Sequence, residues 1–206
     1  MSNYILYSLH DSITLNNSII DMTRELNPMT IRRFQKYTPK IHQTAYIDST
    51  ALVIGQVEIG ADSSIWPMSV IRGDINTITI GQRTNIQDGS ILHVSHEGEF
   101  SPGGASMTIG NDVTVGHSVV LHACTLMDCC LIGIGSVIMD NAVVHKHAMV
   151  GAGSLVTNGK QLEGGYLWMG RPVKKVRELS EREIEYLSYS AKHYVKVKQM
   201  HEQSVD

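Results

Sequence analysis

An aliphatic side chain recurs at every sixth position of this chain. Ile41, Ile47, Val53, Ile59, Ile65 and Ile71 form one run, and Val120, Leu126, Ile132, Ile138, Val144, Val150 and Val156 another. Ile80, Ile86 and Leu92 keep the same step in a shifted frame between them. Glycine often follows, at 59–60, 80–81, 109–110, 115–116, 132–133 and 150–151. A period of six matches neither an amphipathic helix nor the alternation of a half-buried hairpin strand. It matches a chain that turns a corner every six residues and points one aliphatic residue inward from each short strand. Three such strands close a triangular coil. Stacked coils share backbone hydrogen bonds and a continuous apolar column. Glycine and small polar residues are expected at corners that need unusual backbone angles. The expected fold is all-β: a left-handed parallel β-helix of hexapeptide repeats, with about six coils over 39–157 once its interruptions are removed. A β-sandwich with chance spacing is the alternative, and two unbroken runs argue against it.

The period breaks twice. The step from Ile71 to Ile80 is nine residues, and HVSHEGEFSPGGASMT separates Leu92 from Ile109. Pro102, Gly103 and Gly104 mark the second break as a loop thrust out of the coil, where solenoids tend to carry function. After the coils, GYLWMGRPVKKVRELS reads as an extended linker. Ser180 and Glu183 then form a capping box. A helix to about Gln199 follows, with Ile184, Leu187, Ala191, Tyr194 and Val195 at helical spacing to pack back along the coil. Its acidic start and lysine-rich end complement the helix dipole. The organisation is thus an N-terminal extension (1–28), a β-helix (29–178), and a helix with tail (179–206). Residues 1–28 are polar, irregular and without the repeat. They read equally well as an extension ahead of a core opening at MTIRRFQKY or as a docked N-terminal element.

Composition narrows the partners. The formal net charge is −3 and no Lys/Arg run stands out, which argues against nucleic acid or a membrane surface. No apolar run approaches the roughly 20 residues of a membrane helix, and the first 29 residues lack a signal peptide's basic start. Cys124, Cys129 and Cys130 are too few and too bunched for a disulfide framework. They read as small buried or corner residues, and a reducing cytoplasm is the expected setting.

Three of the ten histidines raise a geometric question: His93, His117 and His122. Five extended residues span roughly 16 Å, whereas zinc holds nitrogen ligands at about 2.0 Å. One strand therefore cannot offer both His117 and His122 to one ion. A site between subunits can, with one histidine from one chain and the others from its neighbour. A triangular prism packs naturally as a three-fold homotrimer with three equivalent interfaces.

The stretches IWPMSVIRGD (65–74), GQRTNIQDGSILHV (81–94), IGNDVTVGHSVVLHACT (109–125), VGAGSLV (150–156) and GYLWMGRPVKKVR (165–177) resemble the gamma-class carbonic anhydrases. The likeness covers nearly everything from residue 37 to the C-terminal helix. It implies that His93, His117 and His122 are metal ligands, with His117 reaching across to the neighbouring subunit. It implies that Arg72 and Asp74 form an ion pair at the interface beside the site. Gln87 would hydrogen-bond water or substrate there. Asp88 would pair with an arginine, Arg72 being the candidate, and Tyr166 would line the mouth of the pocket. The implied cofactor is Zn2+, with Fe2+, Co2+ or Ni2+ also suited to three imidazoles. The implied reaction is reversible hydration of CO2 to bicarbonate. Two departures stand out. Active members carry an acidic residue after the RxD element, where this chain has Ile75. Their acidic shuttle loop is replaced by HVSHEGEFSPGG, in which His96, Glu97 and Glu99 are the candidate proton shuttles. His145 and His147 read as solvated. The competing functions are an acyltransferase using a histidine base and coenzyme A, a thioesterase on the same metal site, and a non-catalytic metal-binding trimer.

Overall fold

A computed structural model describes residues 30–204; the expected extension at 1–28 lies outside the described residues. The chain is a parallel β-solenoid of about 8 turns followed by one α-helix, Glu181–Gln203. Short strands stack into a twelve-stranded and an eight-stranded sheet. Within a strand one side chain points inward and the next outward. The inward set, among them Val53, Ile65, Ile86, Leu92, Ile132 and Val150, is wholly buried. Ile41 and Ile47 pack partly buried at the N-terminal end of this column. Full burial of one such side chain stabilises by about 1.5–3 kcal/mol, so the repeat itself supplies the core. No helix among the described residues is long and apolar enough to cross a membrane.

The structure departs from the sequence reading at five points. First, the coil extends further at both ends. Ile31–Arg32 already pairs with the strand Leu52–Ile59, and Gln161–Leu162 and Tyr166–Gly170 continue the ladders past residue 157. Second, the inward residue near 120 is Leu121, not Val120, which is half-buried and faces outward. The frame runs Ile109, Val115, Leu121, then takes a five-residue step to Leu126, with Ala123 turning the tight corner at φ 44°. Third, the nine-residue step is one long strand, Val70–Ile80. It pairs with Leu52–Ile59 along both halves, with Ile91–His93 at one end and with Met107–Ile109 at the other. Fourth, the expected linker is an antiparallel hairpin: Tyr166–Gly170 is the last rung of its sheet and Val173–Glu178 turns back along it. Trp168 and Val173 are buried there.

Fifth, the glycines after the aliphatic residues do not supply corner angles. The positive-φ corners fall to other residues: small polar ones such as Asp62, Asp112, Ser118 and Asn141, other glycines such as Gly89, Gly135 and Gly153, and also Arg83 and Cys129. Gly60, Gly81 and Gly133 instead lie where the next coil presses on them. A Cβ on Gly60 would sit 2.6 Å from the Gly81 carbonyl oxygen, and one on Gly133 would sit 2.5 Å from the Ala152 nitrogen.

The helix begins with the expected capping box, Ser180 and Glu183 bonding reciprocally. It runs four residues past Gln199. Leu187 and Ala191 are buried against the coil, and Ser190 meets Thr114 hydroxyl to hydroxyl at 3.0 Å. Lys198 is buried as well, its ammonium donating to the Thr44 carbonyl at 2.7 Å.

Candidate metal centre

The ladder register builds half of the site. Arg72 pairs with His93, and His93 with His122, on three successive coils. Rungs lie about 4.8 Å apart, so residues 29 apart in sequence become direct neighbours. The insertion between them leaves the coil and returns without disturbing the stack. His93 Nδ1 lies 3.1 Å from His122 Nε2.

Each ring's other nitrogen faces a carboxylate. His93 Nε2 is 3.1 Å from Asp74 Oδ1, and His122 Nδ1 is 2.7 Å from Asp140 Oδ1. Burial alone would raise the pKa of Asp74. Hydrogen bonds from Arg72, whose Nη1 donates at 2.6 Å, and from His93 outweigh it and leave the pKa lowered. Asp140 behaves alike: burial raises, and hydrogen bonds from Ser95 and His122 more than compensate. Ionised carboxylates only accept, so both imidazoles donate their N–H outward to them. The two nitrogens that face each other at 3.1 Å are then both lone pairs when the rings are neutral, an arrangement that a shared cation satisfies. Two nitrogens bound tetrahedrally at about 2.0–2.1 Å stand about 3.3 Å apart, so the spacing fits a metal ion. Burial, the largest effect on His93, lowers its pKa and favours the neutral ring that ligation needs.

The third histidine lies elsewhere. His117 occupies the corner after Thr114–Val115, half-exposed, with Nδ1 2.8 Å from Asp88 Oδ2. Its Nε2 is left for other work, as in carboxylate–histidine–metal arrangements. No contact joins His117 to the His93–His122 pair within one chain. Among the described residues, no group of three or more metal-binding side chains assembles. Asp88 pairs with His117 rather than with Arg72, which holds Asp74 instead. Gln87 is buried on the His117 side, donating to Asn85 Oδ1 at 3.0 Å. One chain therefore holds these residues in two separate clusters: Arg72, Asp74, His93, His122 and Asp140 in one, Gln87, Asp88 and His117 in the other.

Tyr166 stands apart from both, on the last parallel rung, with its hydroxyl donating to Glu178 at 3.4 Å and Lys175 Nζ 3.8 Å from its ring centroid. His96 lies in the protruding loop without a contact to the histidine pair. Ile75, where an acid was expected by resemblance, is partly exposed just beyond Asp74. Cys124 is fully buried in the apolar column, and that burial pushes its thiol up to about 12.

Sequence reading missed Asp140 and Ser95. A signal for Asp140 existed: it follows His122 by 18 residues, three hexapeptides, which is one full coil.

No family model matches the chain. Protein YrdA of Escherichia coli is 51% identical over 168 residues, spanning 82% of this chain and 91% of that protein. The mitochondrial gamma carbonic anhydrase 2 of Arabidopsis thaliana is 44% identical over 167 residues, covering 80% of this chain and 59% of its own length. Among solved structures, a hexapeptide transferase family protein from Anaplasma phagocytophilum superposes with a TM-score of 0.77 at 40% identity, over 83% of this chain and 97% of that one. With its repeat, its coil and its histidine ladder, the chain belongs to the gamma-carbonic-anhydrase-like family of hexapeptide-repeat proteins.

Proposed function

We propose that this protein hydrates CO2 reversibly to bicarbonate, at divalent metal sites formed between the subunits of a homotrimer. The observation that carries the reading is the pair of opposed lone pairs, His93 Nδ1 and His122 Nε2, 3.1 Å apart. The pair lacks a third ligand in its own chain, and His117 presents Nε2 on another edge. A neighbouring copy that brings its His117 to this pair completes three imidazoles.

The outer face beside the pair supports that assembly. Leu52, Val70, Ile91, Val120, Val137 and Leu155 stack in one outward-facing ladder. All six are aliphatic, and Ile91 is 47% exposed in the single chain. A continuous apolar stripe of this kind marks a protein interface, and a repeated heterologous contact closes as a ring.

A divalent ion would supply Lewis acidity, making water a competent nucleophile near neutral pH. Three imidazoles fit zinc, and iron, cobalt and nickel as well. The chain's own residues do the rest. His93, His122 and a second copy's His117 hold the ion. Gln87 travels with His117 and offers an amide to water or substrate. Arg72, steadied by Asp74, keeps guanidinium N–H groups for bicarbonate. The proton released must leave by a side chain, and the loop's His96, Glu97 and Glu99 are the candidates in place of the acid missing at Ile75.

The family likeness to a hexapeptide transferase favours one second reading, transfer or hydrolysis of an acyl group carried by coenzyme A. One experiment separates them: metal content per chain, CO2 hydration by stopped flow and turnover of acetyl-CoA, measured on wild type and His117→Ala. About one ion per chain with hydration lost in the variant supports the anhydrase. Full loading without hydration, together with acetyl-CoA turnover, supports the transferase reading. Full metal retention in His117→Ala sinks the three-histidine site.

A further inference from the structure

We propose that Asp140 and Ser95 are positioning residues for the metal site, with Asp140 fixing the His122 ring and Ser95, at the neck of the protruding loop, holding Asp140 in place. The inference rests on the reading of His122 as a metal ligand.

The fold places Asp140 one coil beyond His122. The corner at Asn141 stacks on the corner at Ala123, with the Asn141 N–H donating to the Ala123 carbonyl at 2.8 Å. This brings the Asp140 carboxylate to the Nδ1 edge of the His122 ring. Oδ1 accepts a hydrogen bond from His122 Nδ1–H at 2.7 Å, and Oδ2 accepts from Ser95 Oγ at 2.5 Å. Both carboxylate oxygens are thus engaged, and the side chain has little freedom to rotate. A histidine with no partner prefers its proton on Nε2, the atom that faces His93. By accepting a hydrogen bond from Nδ1–H, Asp140 holds the tautomer whose Nε2 lone pair is free for the ion.

Ser95 ties this pair to the loop. Its N–H and carbonyl exchange hydrogen bonds with Ala105 at 3.0 and 3.1 Å, closing the loop's neck. Asn76 Nδ2 donates to the same carbonyl at 3.2 Å. The insertion that breaks the repeat therefore reaches the site through one hydroxyl.

A purely structural role for Asp140, fastening the loop to the coil, would leave the tautomer and the metal affinity alone. The test uses the full-length protein. Long-range proton–nitrogen correlation spectra of the metal-free form, at a pH where the rings are neutral, report where each imidazole proton sits. Competition with a chromophoric chelator reports zinc affinity. His122 is expected as the Nδ1–H tautomer in wild type and to shift toward Nε2–H in Asp140→Ala. Zinc affinity is expected to fall about 10–100-fold. Asp140→Asn, which keeps the shape, guards against misfolding and is expected to weaken zinc in the same direction. Ser95→Ala should lose less, and Ser95→Thr should restore wild-type affinity. Wild-type tautomer and wild-type affinity in both Asp140 variants overturn the proposal. Wild-type zinc binding in His122→Ala overturns the ligand reading instead, while the metal-free spectra still decide whether Asp140 sets the ring.

Discussion

Two stretches of the coil share one core and differ in how strictly they keep its period. From Leu126 to Leu162 the inward residues keep strict steps of six, and all are wholly buried. Between Ile71 and Leu126 the repeat stretches, throws out a loop and drops a residue, yet Ile86, Leu92, Ile109, Val115 and Leu121 are buried just as completely. The irregularities, one extended strand, one loop and one tight corner, leave the inward column intact. The three candidate ligands, with Arg72, Asp74, Gln87 and Asp88, all lie in the irregular stretch. The regular stretch lends it one group, Asp140. Core continuity fixes where each rung sits; the irregularities decide which polar side chains stand side by side on the outside.

If that division holds, truncation of an inward residue should cost the same in either stretch. Ile138→Ala and Leu121→Ala are each expected to lose about 2–5 kcal/mol, measured by denaturant unfolding. A much smaller loss at Leu121 would break the comparison, because it would mean the irregular coils are loosely packed. Val120→Ala sharpens it. That side chain faces outward, so the variant should unfold nearly as a wild-type chain does and weaken subunit association, read by sedimentation. A core-sized loss at Val120 with none at Leu121 would reverse the frame.

The next effect concerns the glycines. Gly133→Ala puts a methyl group against the backbone of the following coil, 2.5 Å from the Ala152 nitrogen and 2.7 Å from the Val150 oxygen. Backbone cannot step aside as a side chain can, and about 1–3 kcal/mol should be lost. Gly153→Ala makes a useful partner: nothing lies within 4 Å of its added Cβ, and its penalty comes from φ 67° alone. If Gly133→Ala is neutral, stacking is not what selects glycine after an aliphatic residue.

These variants bear on what could be read in advance. The aliphatic column was legible because six is a period that only a coil satisfies. The frame at 119–121 was not, because Val119, Val120 and Leu121 are all aliphatic. The burial of Val119 and Leu121, and the pairing of Leu121 with Leu92, show that Val120 is the one facing outward. The hairpin at 166–178 hid because it has no period. Its buried Trp168 and Val173 are too few to announce a strand pair. His93 and His122 were legible as candidates, and their adjacency follows once the loop is subtracted from their spacing. Asp140 was missed, since its partner lies a full coil away. Glycines such as Gly135 and Gly153 do turn corners at positive φ, whereas Gly60, Gly81 and Gly133, which follow an aliphatic residue, are there because the next coil presses on them.

At the site, the comparison predicts large functional losses with small structural ones. His122→Ala removes an outward side chain at a corner, and its metal-free unfolding free energy should stay within about 1 kcal/mol of wild type. Its metal content should collapse. A mixing experiment then tests the two clusters. His117→Ala keeps the His93–His122 pair, and His122→Ala keeps the His117 corner. Refolding equal amounts together should rebuild about one quarter of the interfaces with a complete ligand set if neighbours contribute as proposed. Metal content and hydration should rise together to that level. No recovery on mixing would place all three ligands within one chain.

The smallest effect lies outside both stretches, at the start of the helix. Ser180 Oγ accepts from the Glu183 N–H, and the Glu183 carboxylate accepts from the Ser180 N–H at 2.9 Å. Arg177 adds a bidentate ion pair at 2.7 and 2.8 Å. The Arg177 hydrogen bond is the largest cause of a Glu183 pKa lowered to about 2, with the Ser180 bonds next. Because the folded value is depressed, this contribution is present above the unfolded value of about 4.3. It fades as pH falls toward 2. Ser180→Ala should lose about 1 kcal/mol at neutral pH. Glu183→Gln should flatten the stability profile between about pH 4 and 2 relative to wild type. Neither change should alter metal content, since the partners of the cap residues are each other, Arg177 and their own helix, and none belongs to either histidine cluster. A cap variant that lost metal would show that the helix does more than cover the coil.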